Sequence, residues 1–203
     1  SQIGGLALDG RKCSEMGPER SPGPENRPPG MPRPFSHLGD QSRCSESIKK
    51  VKNIIANEAK DDRVIVVVSA MTQVTNKLLA ASQLAANGDD SYKEIVKKIE
   101  NKHFDAIREL ITIDQQSGVI ANVKVLLNQL EDILNGVYLV RELSLKTSDY
   151  IVSFGESLSS IILSKSIGAE LVDSKSLIST NTEFGGATVL YDRTYKKIQE
   201  FFE

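Results

Sequence analysis

From Ser45 onward the apolar residues repeat at the spacings of regular structure. In "SESIKKVKNIIANEA" Ile48, Val51, Ile54 and Ile55 fall on one face, with Ser45 or Ser47 as a candidate cap, which predicts a helix. "RVIVVVSA" is β-branched and apolar without alternation, the pattern of a strand buried on both faces of a parallel sheet. "TNKLLAASQLAANGDD" predicts a helix closed by Asn87-Gly88. In "YKEIVKKIENKHFDAIRELI" a stripe joins Tyr92, Val96, Ile99, His103, Ile107 and Leu110. Val119, Val123, Leu126, Leu130, Ile133 and Val137 then recur at steps of three and four, a long amphipathic helix to about Arg141. A helix from Thr147 to about Ile167, a short strand in "AELVD" and a last helix in "DRTYKKIQEFF" complete the pattern. Helices alternating with strands predict an α/β fold, a three-layer sandwich with a mainly parallel sheet. Two convincing strands are few for such a sheet, so the body reads as part of a larger, incomplete domain.

Before Ser45 the pattern is lost. All seven prolines lie between Pro18 and Pro34, and both cysteines, Cys13 and Cys44, fall in this stretch. Too few large apolar side chains are present to offset the entropy of ordering, so residues 1–44 are expected to be disordered and unrelated to the body, residues 45–203. "GLALDGRK" at 5–12 nearly spells a phosphate-binding loop, but Arg11 and Lys12 stand where Lys and Ser or Thr belong, which marks a chance match. "IGGLAL" lacks the length and basic flank of a signal peptide. The first residue is Ser, so the expectation is a start lying upstream.

Charge and cysteine usage narrow the function classes. A net charge of -2 and a pI near 5.8 argue against a nucleic-acid surface. No apolar run approaches the roughly 18 residues of a membrane span. Two cysteines without CxxC spacing make neither a metal site nor a disulfide framework, and the cysteine-free body fits a cytoplasmic protein.

Two segments carry candidate chemistry. In "VVVSAMTQVTNKLL" a strand ends at Val68, and Ser69, Ala70, Thr72 and Thr75 lie before or at the start of a helix. Ligands of open α/β sheets bind beyond the carboxyl ends of strands, and helix N-termini attract anions. The same hydroxyls also serve as plain helix caps, and both readings stand. In "SDYIVSFGESLSS" a glycine, Gly155, sits inside a predicted helix at a cost of roughly 1 kcal/mol against Ala. Glu156 beside it shares a face with Ser153 and Ser160, while Ile151, Phe154, Leu158, Ile161 and Ile162 form an apolar side. Glu156 reads either as a solvated surface residue or as a buried carboxylate awaiting a lysine or a ligand's ammonium group. Gly155 then admits a ligand or another backbone. His103 is expected to be a satisfied core histidine, and His37 has no assigned role.

The segments "RVIVVVSAMTQVTNKLL", "RELSLKTSDYIVSFGESLSS" and "GAELVDSKSLI" together resemble the aspartate kinases of the amino acid kinase family. Within that family they are similar to the kinase part of bifunctional aspartokinase–homoserine dehydrogenases. The resemblance covers Ser45 to Glu203, the amino-acid-substrate half of the family's kinase domain. It implies the reaction ATP + L-aspartate to 4-phospho-L-aspartate + ADP, the first step of lysine, threonine and methionine biosynthesis. It implies an aspartate site of Ser69, Ala70, Thr75 and Glu156, with Glu156 holding the α-ammonium and Gly155 making room. ATP with Mg2+ would be used by the complete enzyme, which is expected to be a homo-oligomer.

Two departures qualify that expectation. The family's lysine-phenylalanine-glycine-glycine-threonine-serine motif, whose lysine grips ATP phosphates, is replaced by "PFSHLGDQSRC". The family's glycine-arginine-glycine-glycine-serine-aspartate loop does not occur before Glu203. The chain alone is therefore expected to be inactive and to bind nucleotide poorly. Two alternatives remain: a non-catalytic α/β interaction module, and a kinase for another amino acid such as glutamate.

Overall fold

The computed structural model describes residues 6–8, 44–60 and 64–202. The expectations for residues 1–44, including the near phosphate loop, His37 and "PFSHLGDQSRC", lie outside the described residues apart from Leu6–Leu8 and Cys44. Leu6–Leu8 form a strand, β1, where disorder was expected. Then follow α1 (Cys44–Glu58), β2 (Ile65–Val67), α2 (Val74–Ala86), α3 (Tyr92–Leu110), α4 (Ile113–Val140) and α5 (Leu145–Ile167). The last elements are β3 (Glu170–Val172), α6 (Ser174–Leu177) and α7 (Tyr191–Phe202).

The helices arise from the predicted stripes, with local shifts. α1 begins at Cys44, so Ser45 and Ser47 lie inside it rather than at its cap. Ile48 and Ile55 are buried, whereas Ile54 is 43% exposed, one position off the stripe. On α4 Val123 and Leu130 are fully buried as expected, but Leu127 and Leu134 are fully buried in place of Leu126 and Ile133, which pack at the margin. Val119, Val123, Leu130 and Val137 stay on the expected stripe, and only these two positions pass to the next residue, because residues 3 and 4 apart share one helix face. Leu110 likewise sits at the edge of the core, while Tyr92, Val96, Ile99, His103 and Ile107 are buried as expected. α5 starts at Leu145 because the Ser144 hydroxyl accepts the Thr147 amide at 3.1 Å, an N-terminal cap. It ends at Gly168, whose φ of +70° allows the Ala169 amide to donate to the Ser164 carbonyl at 2.9 Å.

The sheet departs from the expectation in its direction of pairing. Among the described residues it has three strands in the order β2-β1-β3, and both pairs are antiparallel. The predicted parallel neighbours β2 and β3 do run the same way, but β1 lies between them. Leu6 stands opposite Val67 on one side and Val172 on the other, so the two strands end level with each other. β2 is also not buried throughout. Val64, Val66 and Val68 enter the main core, Ile65 packs into a second cluster, and Val67 is 50% exposed. The unbroken apolar run concealed a period-two strand with one face incompletely covered.

α2, α3, α4 and α5 pack on one another around the main core, with α1 against α3 and α5. Across the sheet Val172 and Leu177 pack with Ile65, Ile178, Ile198 and Phe202, which brings α7 to the other face. Helices thus flank the sheet on both sides, as a layered α/β fold requires. No helix among the described residues is long and apolar enough to cross a membrane.

Candidate functional site

The level ends of β2 and β3 put two loops on one edge of the sheet, with α5 beside them. The Ser159 hydroxyl of α5 donates to the Ser69 carbonyl at 2.8 Å. Four residues earlier on the same helix, a Cβ at Gly155 would lie 2.8 Å from the Ala70 Cβ. It would also lie 3.4 Å from Leu78 Cδ1 and Val74 Cγ1 of α2. Gly155 therefore admits the Ala70 loop and the first turns of α2. Of the two expectations for Gly155, room for a ligand or for another part of the chain, the structure shows the second: the close approach is made by the protein itself.

That approach seals Glu156 into the interior. Its residue is only 3% exposed, and Oε1 is buried without a hydrogen-bond partner. Burial raises its pKa above the usual carboxylate value, opposed by its own backbone amide, the Ala70 amide and the charge of Lys175. Among the described residues no cation forms an ion pair with it. The solvated-surface reading of Glu156 is thus excluded. An unpaired buried carboxylate is costly, and an incoming cation is the natural remedy.

The neighbouring serines do not supply polar contacts to this pocket. Ser153, Ser157 and Ser160 donate to carbonyls three or four residues back at 2.8–3.0 Å. Such back-bonding satisfies a hydroxyl within its own helix. The serine richness of "SDYIVSFGESLSS" therefore lets polar side chains enter a packed helix face without a penalty for unmet hydrogen bonds.

The Ala70 amide faces Glu156, the Ala70 methyl packs at Gly155 beside it, and the Ser69 carbonyl is tied to the same helix by Ser159. Thr75 lies one residue beyond Val74, in the first turn of α2, and its side chain is partly buried. The cap of α2 is Gln73, with no side-chain cap hydrogen bond, so neither Ser69 nor Thr75 serves as the cap. Gln73 takes a left-handed φ of +63°, an unusual conformation for this residue type that is characteristic of functional loops. Lys102 of α3 braces the turn by donating to the Thr72 carbonyl at 2.6 Å.

His103 is only half satisfied. Nδ1 pairs with the Ile99 carbonyl at 2.7 Å, while buried Nε2 has no partner. Burial pushes its pKa down to about 4, so it is neutral at pH 7. The other buried acid, Glu100, is fully paired, with Lys97 at 2.5 Å and Lys124 at 2.7 Å. Burial alone would raise its pKa, but the two lysines outweigh that and lower it. Glu100 ties α3 to α4, whereas Glu156 has an unused charge. A cavity of about 170 Å3 at the opposite end of β2, between Lys52, Ile55, Val64, Val66 and Gly168, touches none of these groups.

The sequence reading did not single out Lys175, in the short helix α6 that follows β3. Its Nζ stands 5.7 Å from the centroid of the Tyr150 ring, and that ring meets Phe154 edge-on at 5.4 Å. The strand-end rule applied to Ser69 would have found it, because β3 ends on the same edge.

The amino acid kinase family model matches residues 36–203. Aspartokinase 1 and aspartokinase 2, both chloroplastic proteins of Arabidopsis thaliana, are 37% and 33% identical over 127 and 126 residues. Those alignments take in 61% and 62% of this chain, but only 21% and 22% of the relatives. The chloroplastic bifunctional aspartokinase/homoserine dehydrogenase 1 of the same plant is 30% identical over 59% of this chain and 13% of its own length. A crystal structure of E. coli aspartokinase III in complex with lysine and aspartate superposes with a TM-score of 0.65. At 20% identity, covering 77% of this chain and 35% of that one, it shows a shared fold. The chain thus spans less than a quarter of the length of the plant relatives it matches.

Proposed function

The chain belongs to the amino acid kinase family, and from that premise we propose that residues 45–203 form the amino-acid-substrate half of an aspartate kinase domain. One observation carries the reading: Glu156 is a buried carboxylate with an unpartnered oxygen, held against the Ser69–Ala70 loop. An α-ammonium group at Oε1 would supply the missing positive charge and the missing donor. Ser69, Ala70 and Thr75, at the uncapped start of α2, would orient the rest of the amino acid.

In the complete enzyme the side-chain carboxylate of L-aspartate attacks the γ-phosphorus of ATP. The bond from that phosphorus to the β–γ bridging oxygen breaks, and ADP leaves as 4-phospho-L-aspartate forms. Such transfer is helped mainly by positioning and by charge stabilisation. The residues here supply positioning of the acceptor: Glu156 fixes one end of aspartate, and the rigid Gly155–Ala70 contact fixes Glu156. Mg2+ belongs with the nucleotide in this reading. Among the described residues no group of three or more His, Cys, Asp or Glu could cradle it, and no step here runs through it. Homo-oligomerisation is expected of the complete enzyme, and residues 1–203 alone are expected to be inactive. The cytoplasmic location read from the cysteine-free body stays part of the proposal, beside relatives that are chloroplastic.

Calorimetric titration of this chain with L-aspartate tests the reading. Binding is expected, and Glu156→Gln is expected to weaken it about 10- to 150-fold, the cost of a charge-assisted hydrogen bond. Absence of binding, or equal affinity in the variant, overturns it.

A further inference from the structure

The cavity of about 170 Å3 at the far end of β2 has no part in the site around Glu156. It lies between α1, β2 and the C-terminal end of α5, about 18 Å along the α5 axis from Glu156. On α1, Lys52, Ile55 and Ala59 border it, at steps of three and four that share one helix face. Val64 and Val66 border it from β2 and the residue before it, and Gly168 from the cap of α5. Ile55, Val64 and Val66 are buried and form an apolar floor, whereas Lys52 and Gly168 are exposed and mark the mouth. Small residues leave the room. Ala59 carries only a methyl, and a Cβ at Gly168 would meet nothing within 4 Å.

An apolar space of this size has a known capacity: an engineered protein cavity of about 150 Å3 takes up benzene. The mouth adds a charge. Lys52 is the one charged residue among those that line the cavity, and among the described residues no carboxylate pairs with its ammonium group. The end of α5 contributes the opposite sign, because a helix C-terminus carries roughly half a negative charge. Its last carbonyls are partly used, however: those of Ser164 and Lys165 accept the Ala169 and Gly168 amides at 2.9 and 3.4 Å. The full charge of a free ammonium group outweighs a capped helix end. We propose that this cavity binds a small monocarboxylate, with an apolar group the size of a benzene ring against Val64 and Val66 and the carboxylate on Lys52. The site is independent of the aspartate reading above.

Benzoate, benzyl alcohol and benzylamine share one ring and differ in charge. Each is titrated into isotope-labelled wild-type chain, Lys52→Met, Lys52→Arg and Ala59→Leu, and the amide signals are followed by two-dimensional NMR. Benzoate is expected to shift the Val66 and Gly168 amides saturably and to bind more tightly than benzyl alcohol, with benzylamine the weakest. Lys52→Met is expected to weaken benzoate about tenfold, the low end for a charged hydrogen bond at an exposed residue, and to leave benzyl alcohol unchanged. Lys52→Arg keeps the charge and is expected to hold benzoate within a few-fold. Ala59→Leu fills the space and is expected to abolish binding of all three. Glu156→Gln is expected to bind benzoate as wild type does, so loss of the aspartate reading leaves this one standing. Shifts that do not saturate, or that spare Val66 and Gly168, overturn the site. Equal benzoate affinity in Lys52→Met, or benzylamine binding as tightly as benzoate, overturns the carboxylate assignment. Undiminished binding in Ala59→Leu overturns the cavity as the seat. Lys52 is exposed and its variants keep the fold, so they decide the matter even where Ala59→Leu does not fold.

Discussion

The Ser159 hydroxyl reaches the Ser69 carbonyl at 2.8 Å and so joins two positions 90 residues apart in the chain. The bond fixes the end of β2 to α5 at the level of Glu156. Ser159→Ala leaves a carbonyl in need of a donor and is expected to cost about 1 kcal/mol of stability. Urea unfolding measures this, and the same variant is expected to bind L-aspartate more weakly than wild type. An unchanged denaturation midpoint would show that the bond does not hold the loop.

Gly155→Ala sets a helix-propensity gain of roughly 1 kcal/mol against a steric clash. The new methyl would lie 2.8 Å from the Ala70 Cβ, so the loop or the helix must move. Overpacking of this kind costs typically 1–3 kcal/mol, and the clash is expected to win. Ala70→Gly removes the opposing atom. A double-mutant cycle should therefore show the pair less destabilised than the sum of the single changes. Additive losses would place the strain elsewhere.

Glu156 has a pKa raised by burial, so the folded state holds its proton more tightly than the unfolded chain. Its contribution to stability is present below the unfolded value of about 4.5 and is lost as pH rises through the higher folded value. Glu156→Gln, neutral at every pH, is expected to melt above wild type at pH 7, with the difference shrinking toward pH 4. Thermal melts across that range measure it. A variant that melts lower at pH 7 would mean the carboxylate is paired in the folded protein.

His103 acts with the opposite sign. Its folded pKa is about 4 against an ordinary 6.5, so the unfolded chain takes up a proton that the folded protein refuses. Its neutral form supports the fold fully above pH 6.5, and that support falls away from 6.5 toward 4, by roughly 3 kcal/mol. Denaturation of His103→Leu should follow a flatter stability curve between pH 6.5 and 5 than wild type. Parallel curves would show that the ring is protonated in place.

The chain of residues 1–203 is expected to give no acyl phosphate when supplied with ATP and L-aspartate. A moving phosphoryl group needs its charge neutralised, and loss of a single preorganised donor costs about 10²–10³ in rate in a well-studied hydrolase. Trapping the product as its hydroxamate measures turnover. Activity above a no-protein blank, in material freed of host kinases, would mean these residues contain a phosphate site of their own.

The residue pattern alone determined the helices, because a stripe at three- and four-residue steps has one economical way to be buried. α2, α3, α4 and α5 lie within a few residues of their predicted spans, and Asn87-Gly88 and Gly168 close helices for local conformational reasons. The strand direction was not determined this way. An apolar run such as "VIVVV" states that it is to be buried and says nothing of its neighbours, and only the pairing with Leu6–Leu8 made both ladders antiparallel. The candidate residues divide along the same line. Ser69, Thr75 and Glu156 stood out as candidates because small hydroxyls at a strand end and an acid beside a helix glycine violate local packing economy. The burial of Glu156, the contact of Gly155 with Ala70 and the approach of Lys175 arise between segments remote in sequence. Desolvation and charge act through space, so only the tertiary structure could decide them.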